Sequence, residues 1–389
     1  MNKMFPLLLA VCLTSQLSQS CASVITNNVV GDQQLMFATV VHRHGERTPD
    51  ADELSLADDK EVLENLTLVE GLEALTNVGK RRAYQIGKFI RQRYGFQGLN
   101  LISNLYLHDE IAIRSTDKER TKMTVQVAMA AAYPPEPEQQ WDDAVGKVWQ
   151  PVPYTAVPLT EDYLRYYSNC KHFKSLMAQA KKEALENEFQ QYNDLIPRIL
   201  WRTGRNFTED PLWFETLHDL FSSQVGLGLD IPKWAEPILP RLSEAARLAY
   251  NLYFRTDEMV TIGGGILLNT FVEAASEISQ GRPMKQRLRV YSAHDFNIGA
   301  LMEAARVKNN HSIPEYGALF ALELYRSRNS GKFSVLPVYL PKAGASSPQT
   351  FNFIDCGPYC DFHKFRQLTK AFLLSEEEYY KTCKIRTEL

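Results

Sequence analysis

The chemistry of this chain concentrates in one short segment, Val40-Val-His-Arg-His-Gly-Glu-Arg-Thr-Pro49. Arg43 and Arg47 bracket His44, with Gly45 between them. Two guanidiniums beside an imidazole repel one another unless an anion sits among them. Arginine forks match phosphate oxygens in planar, bidentate geometry. Gly45 lets the backbone come close without a Cβ. Arg114 and the dipeptide His294-Asp295 add a third arginine, a second histidine and a carboxylic acid. That is an inventory for phosphoryl transfer without a metal. The arginines stabilise charge on the transferring group, one histidine attacks, and the acid protonates the leaving oxygen.

Other readings of these residues are weaker. His42-x-His44 is also a metal-pair spacing on a strand face. Arg43 and Arg47 would crowd a cation, however, and no acidic ligand set accompanies the pair. No metal and no cofactor are expected, and His42 reads as a structural neighbour. Gly263-Gly-Gly265 lacks the following Lys-Ser/Thr of a phosphate-binding P-loop, so backbone packing explains those glycines. His108, His172, His218, His311 and His363 stand outside any constellation.

For the reactive groups to meet, distant segments must reach one edge of a sheet. Residues 34–41 (QLMFATVV) form a short apolar run of β-formers that ends at the first motif. Residues 105–113 read as extended, with Arg114 at their end. Thr116-Asp-Lys-Glu119 reads as the capping box of a helix that runs to about Ala132, where Tyr133-Pro-Pro ends it. Residues 287–292 read as a strand and 296–306 as a helix, which leaves His294-Asp295 at their junction. Residues 76–94 form an amphipathic helix with Gly95 as its stop, and 317–325 with 332–340 form a hairpin.

Strands alternating with helices predict an α/β fold: a central mixed, largely parallel sheet flanked by helices, with its site at the carboxyl edge. Residues 141–256 are rich in Glu, Lys, Leu, Tyr and Trp and show no convincing strand. They read as a smaller all-α domain inserted between two halves, 23–140 and 257–389, of the α/β catalytic domain. Its aromatics, Tyr163, Tyr166, Tyr167, Trp201, Trp213, Phe214 and Trp234, are expected mostly in the core of the insertion, with some walling the cleft.

Arg43-His44-Gly45-x-Arg47-x-Pro49 with the later His294-Asp295 resembles the histidine acid phosphatases, branch 2 of the histidine phosphatase superfamily. Leu75-Thr-Asn-Val-Gly79, Tyr84-x-x-Gly87, Arg93-Tyr94-Gly95, Arg114-Ser-Thr-Asp117, Arg120-Thr121 and Ala131-Ala-Tyr-Pro-Pro135 extend the likeness over nearly the whole mature chain. The resemblance implies a phosphoglycerate-mutase-like fold and often a homodimer. It implies a phosphohistidine intermediate on His44, a phosphate pocket of Arg43, Arg47, Arg114 and His294, and Asp295 as proton donor. The implied substrates are small phosphate monoesters, with phosphoproteins and phospholipid-derived esters as further candidates. Alternatives are a specialised relative, such as a phytase or lysophosphatidate phosphatase, and a secreted binding protein without activity. Vertebrate members typically carry six cysteines in three bridges, two more than the mature chain here.

The compartment follows from the ends and the cysteines. Lys3, the apolar run 5–13 and Ser20-Cys21-Ala22 predict a signal peptide over residues 1–22. The protein is then secreted, with the lysosomal lumen as a second destination. Residues 386–389 (RTEL) match an ER-retention tail only loosely. Cys170, Cys356, Cys360 and Cys383 remain after cleavage. Gly357-Pro358 is turn chemistry that closes Cys356 onto Cys360, leaving Cys170 for Cys383, although four cysteines admit three pairings. Asn65, Asn206 and Asn310 lie in glycosylation sequons. No later stretch approaches about 18 uninterrupted apolar residues, so no membrane span is expected. The 389 residues are 44% hydrophobic and 23% charged, enough for a core and against disorder. A net charge of −3 argues against a nucleic-acid partner.

Overall fold

The computed structural model describes residues 31–282 and 284–385; the segment 1–22 expected to be a signal peptide, with Cys12 and Cys21, and the tail at 386–389 lie outside them. The central strand, β1 (Gln33–Arg43), is buried on both faces, which is why its sequence is almost continuously apolar instead of alternating. It is followed by α1 (Ala51–Ser55), α2 (Asn77–Tyr94), β2 (Ile111–Ser115) and α3 (Glu119–Ala132). A helical stretch containing α4 (Leu212–Gly226) comes next, then α5 (Asp257–Ser279), β3 (Leu288–Ala293) and α6 (Asp295–Ala304). The hairpin β4 (Leu319–Ser327) and β5 (Phe333–Leu340) closes the sheet.

The strand order is β2-β3-β1-β4-β5, with two-residue strands at Gln349–Thr350 and Cys360–Asp361 added to β5. Strands β2, β3 and β1 are parallel, and their register sets Arg43 beside Ala293 and Ser115 beside Ser292. Their carboxyl ends therefore open on one edge. From β1 onward the pairing is antiparallel, because β4 and β5 are joined by a short turn and not by a crossover helix. The sheet is mixed, and its parallel part is confined to three strands.

Alternate residues of β1 feed two cores. Phe37 and Val41 pack with α5 and α6, while Ala38 and Val40 face α2 and α3. The first core continues through the helical stretch, where Phe173, Phe214, Leu217 and Leu220 are buried in the same cluster. Tyr163, Tyr166, Phe214 and Trp234 are core residues, but Trp201 is 75% exposed and stacks only on the Arg202 guanidinium. Helix α5 is long and apolar enough to cross a membrane, yet 72% of its most apolar window is buried inside the protein. It is one of the helices on which the sheet packs.

Two local expectations fail. Residues 105–110 form no strand and end in a turn at 108–110, so only Ile111–Ser115 is extended. The Thr116 capping box does not form either: Lys118 is the N-cap of α3 and makes no side-chain cap. The Thr116 hydroxyl is instead drawn inward, to Thr121 Oγ1 at 2.8 Å and His294 Nε2 at 3.2 Å. Helix α2 does start at the Thr76 cap and stop at Gly95.

Both disulfides join as the local reading suggested. Cys356–Cys360 closes the Gly-Pro turn, and Cys170–Cys383 spans 213 residues. Deeper in, Arg93 of α2 makes a bidentate pair with Glu323 of β4 at 2.6 and 2.7 Å. The Tyr94 and Tyr325 hydroxyls complete the carboxylate's bonds at 2.9 and 2.7 Å. The Arg93-Tyr94 motif is therefore structural. Arg93→Ala would leave Glu323 charged and buried, and should lower stability by about 3–5 kcal/mol in a denaturant titration.

Candidate active site

The loop after β1 is clamped onto the start of α2. A Cβ on Gly45 would stand 2.4 Å from the Gly79 carbonyl oxygen, and one on Gly79 would stand 2.2 Å from that of Glu46. The Thr76 backbone N–H and hydroxyl both donate to the Glu46 carbonyl, at 2.9 and 3.1 Å. The close approach that Gly45 permits is thus to a helix. It holds His44 in place from behind.

His44 is 3% exposed and sits at the carboxyl end of β1. Its Nδ1 donates to the Gly45 carbonyl at 2.8 Å, and its Nε2 accepts from Arg120 Nε at 3.0 Å. This assignment makes it a neutral imidazole with the proton on Nδ1 and the lone pair on Nε2, where Arg120 donates to it. Burial pushes its pKa well below the usual 6.5, and Arg120, Arg43 and Arg47 push it further. His294 is lowered in the same way, by burial first and then by Arg120.

Arg43, Arg47, His44, His294 and Asp295 all line one cavity of about 260 Å³. Arg43 donates to the Pro314 carbonyl at 2.7 Å, and its Nη2 lies 2.9 Å from Asp295. Arg47 is held by Glu53 of α1 at 2.7 and 2.5 Å. Asp295 begins α6; its Oδ1 accepts from the Phe296 N–H at 2.9 Å. Burial raises the Asp295 pKa above 3.8 despite Arg43, and Asp219 adds to the rise.

Arg114 does not join them. Its guanidinium is 2.7 Å from Asp162, lies 4.0 Å over the Tyr163 ring, and is absent from the cavity wall. It sits within β2, where alternate residues face opposite sides, and its side faces Tyr163. The third arginine is Arg120, in the first turn of the helix that follows that strand. The available signal was positional: Arg120, like His294-Asp295, stands at a strand-to-helix junction. Arg120→Ala should lower kcat/KM by about 10²-fold, the scale of losing one charge-stabilising donor. Arg114→Lys, which keeps the charge on Asp162, should stay near the parent value. Steady-state kinetics on the two variants separates the roles.

Two carboxyls of α4 also face the cavity. Burial pushes the Asp219 carboxyl up, but His218, Arg43 and Arg47 outweigh it and hold the pKa down, to about 2. Glu215, one turn away, is raised well above 4.5 by burial, with Asp219 and Asp295 adding to it. Nothing in the linear sequence marks these two, because a Glu-x₃-Asp pair on a helix looks like a solvated face. Tyr167 of the helical stretch also lines the wall, while His42 does not. Burial lowers the His42 pKa to about 4. Among the described residues no group of three His, Cys, Asp or Glu is arranged to hold a metal.

The chain matches the family described as Histidine phosphatase superfamily (branch 2) over residues 34–339. It is 29% identical over 355 residues to venom acid phosphatase Acph-1 of Apis mellifera, covering 90% of this chain and 88% of that one. It is 30% identical over 352 residues to the prostatic acid phosphatase of Homo sapiens, covering 86% and 85%. With the lysosomal acid phosphatase of Xenopus laevis it shares 28% identity, covering 92% and 81%. Among solved structures, Hafnia alvei phytase in complex with myo-inositol hexakis sulphate superposes with a TM-score of 0.64 at 16% identity, covering 90% of this chain and all of that one. That likeness concerns the fold.

Proposed function

Because this chain belongs to branch 2 of the histidine phosphatase superfamily, we propose that it is an acid phosphatase that hydrolyses phosphate monoesters through a phosphohistidine on His44. The observation that carries the reading is the His44 ring itself, neutral and buried, with its Nε2 accepting from Arg120 in the wall of a cavity that Arg43 and Arg47 also line; a phosphoryl group entering there would take the Arg120 donor and leave Nε2 free to attack.

In the first step His44 Nε2 forms a bond to phosphorus. The ester oxygen leaves with the phosphorus–oxygen electron pair and takes the proton of Asp295. The three arginines stabilise the charge spread over the remaining oxygens. In the second step water attacks the phosphohistidine, Asp295 takes the water's proton, and inorganic phosphate leaves a neutral His44. His294 completes the pocket, oriented by the Thr116 hydroxyl.

Two disulfides support a route through an oxidising compartment, as do the signal peptide and the sequons. Asn65 and Asn310 are exposed, and Asn206 is half-buried. The protein is then a secreted glycoprotein, with the lysosomal lumen as the other destination. Purified protein should hydrolyse p-nitrophenyl phosphate at pH 5, be inhibited by vanadate, and yield an acid-labile, base-stable phosphoprotein after a rapid quench. An inactive pure protein would overturn the reading.

A further inference from the structure

The cavity is basic at its floor and acidic at its mouth. Arg43, Arg47 and Arg120 are buried, at 5%, 6% and 9% exposure, and each is already engaged by a carboxyl. Arg43 has Asp295 and Asp219, Arg47 has Glu53, and Arg120 has Glu73 at 2.6 Å. Lys118, the half-buried cation at the rim, is also taken by Glu73, at 2.8 Å. Arg165 turns its guanidinium onto the Tyr167 ring, 4.7 Å from the centroid.

The carboxyls outnumber these partners. Asp50 and Asp52, at the start of α1, line the same cavity with no ion-pair partner among the described residues. Asp52 is exposed, Asp50 is half-buried and the Glu73 side chain is 36% exposed, so these three face the approach. Glu73 holds a φ of 58°, a conformation natural to glycine. Its carboxylate nonetheless spans two cavity cations, Lys118 and Arg120.

A phosphoryl group reaching His44 would compete for the floor arginines. Whatever it is attached to would lie among Asp50, Asp52 and Glu73. A second phosphate there meets carboxylates and a lysine already paired. Resting on the acid phosphatase reading above, we propose that the cavity takes esters with a single phosphate on a neutral or cationic leaving group and turns away polyphosphorylated ones. The likeness to phytases then stops at the fold.

The test compares p-nitrophenyl phosphate and phosphoethanolamine with myo-inositol hexakisphosphate at pH 5 and low salt, where mouth charges are least screened. The first two should exceed the hexakisphosphate in kcat/KM by about tenfold or more. Glu73→Gly, which relieves the positive φ and frees Arg120 and Lys118, should raise hexakisphosphate turnover by about tenfold. Asp52→Lys should do the same, raising the hexakisphosphate to p-nitrophenyl phosphate ratio of kcat/KM, and added salt should shrink both gains. Equal kcat/KM on all three substrates, or variants that leave the ratio unchanged, would overturn the selectivity. Calorimetry on His44→Ala, which cannot turn over, separates this from the activity itself. Hexakisphosphate binding no tighter than p-nitrophenyl phosphate supports the proposal even if the parent protein hydrolyses nothing, and much tighter binding refutes it.

Discussion

His44→Ala should abolish turnover on every phosphate monoester, a loss on the order of 10⁴-fold or more, while the fold and phosphate binding persist. The ring's hydrogen bonds are to the Gly45 carbonyl and from the Arg120 guanidinium, and Arg120 keeps its Glu73 partner when the ring is removed. What it supplies is a lone pair. Burial, and then Arg120, Arg43 and Arg47, keep the imidazole neutral well below pH 6.5, so the nucleophile is available in acid where a free histidine would be protonated. The variant should fail to label in a rapid-quench phosphorylation experiment. His294→Ala should still label, at a reduced rate, because His294 Nε2 is held by the Thr116 hydroxyl and its role is to complete the pocket. Label on the His44→Ala protein would place the nucleophile elsewhere.

The first motif was readable because its chemistry is local. Arg43, His44 and Arg47 lie within five residues of one another at the end of an apolar strand, and such an end must open on the sheet edge. His294-Asp295 was readable for the same reason, and so was the Cys356–Cys360 loop across a Gly-Pro turn. Arg114 shows where that logic runs out. A strand end marks the edge of the sheet but not the side on which each residue emerges, and Arg114 emerges toward Asp162 and Tyr163. Arg120 lies five residues beyond the strand, in a helix whose expected capping box does not form. The acids of the cavity were hidden differently. Glu53 of α1, Glu73 of a loop, and Glu215 and Asp219 of α4 come from three segments, the last of them far from the first motif in sequence. Only folding sets them against the arginines, so a pocket that the sequence shows with three arginines and one acid is closely compensated.

That compensation bears most directly on Asp295, whose loss should be the second large effect. Asp295→Asn should lower kcat by about 10²–10⁴-fold on alkyl phosphates, the usual range for a general acid. The loss should be far smaller on p-nitrophenyl phosphate, because its leaving group departs without a proton. Equal losses on phenolic and alkyl esters would remove Asp295 from the donor role. The pH profile gives an independent reading. Asp295 must begin protonated, and its pKa is raised by burial and by the Asp219 charge. His44 must begin neutral, and its pKa is lowered. Activity should fall as pH drops through the depressed His44 value and as pH rises through the elevated Asp295 value, so the optimum lies between them. In Asp295→Asn the alkaline limb should flatten. Asp219→Asn removes a neighbouring negative charge that favours the protonated acid, so it should move the alkaline limb to lower pH. Replacing a carboxylate that never touches the leaving group would then retune the donor through the field alone. An unmoved limb in Asp219→Asn would mean that burial by itself keeps Asp295 protonated.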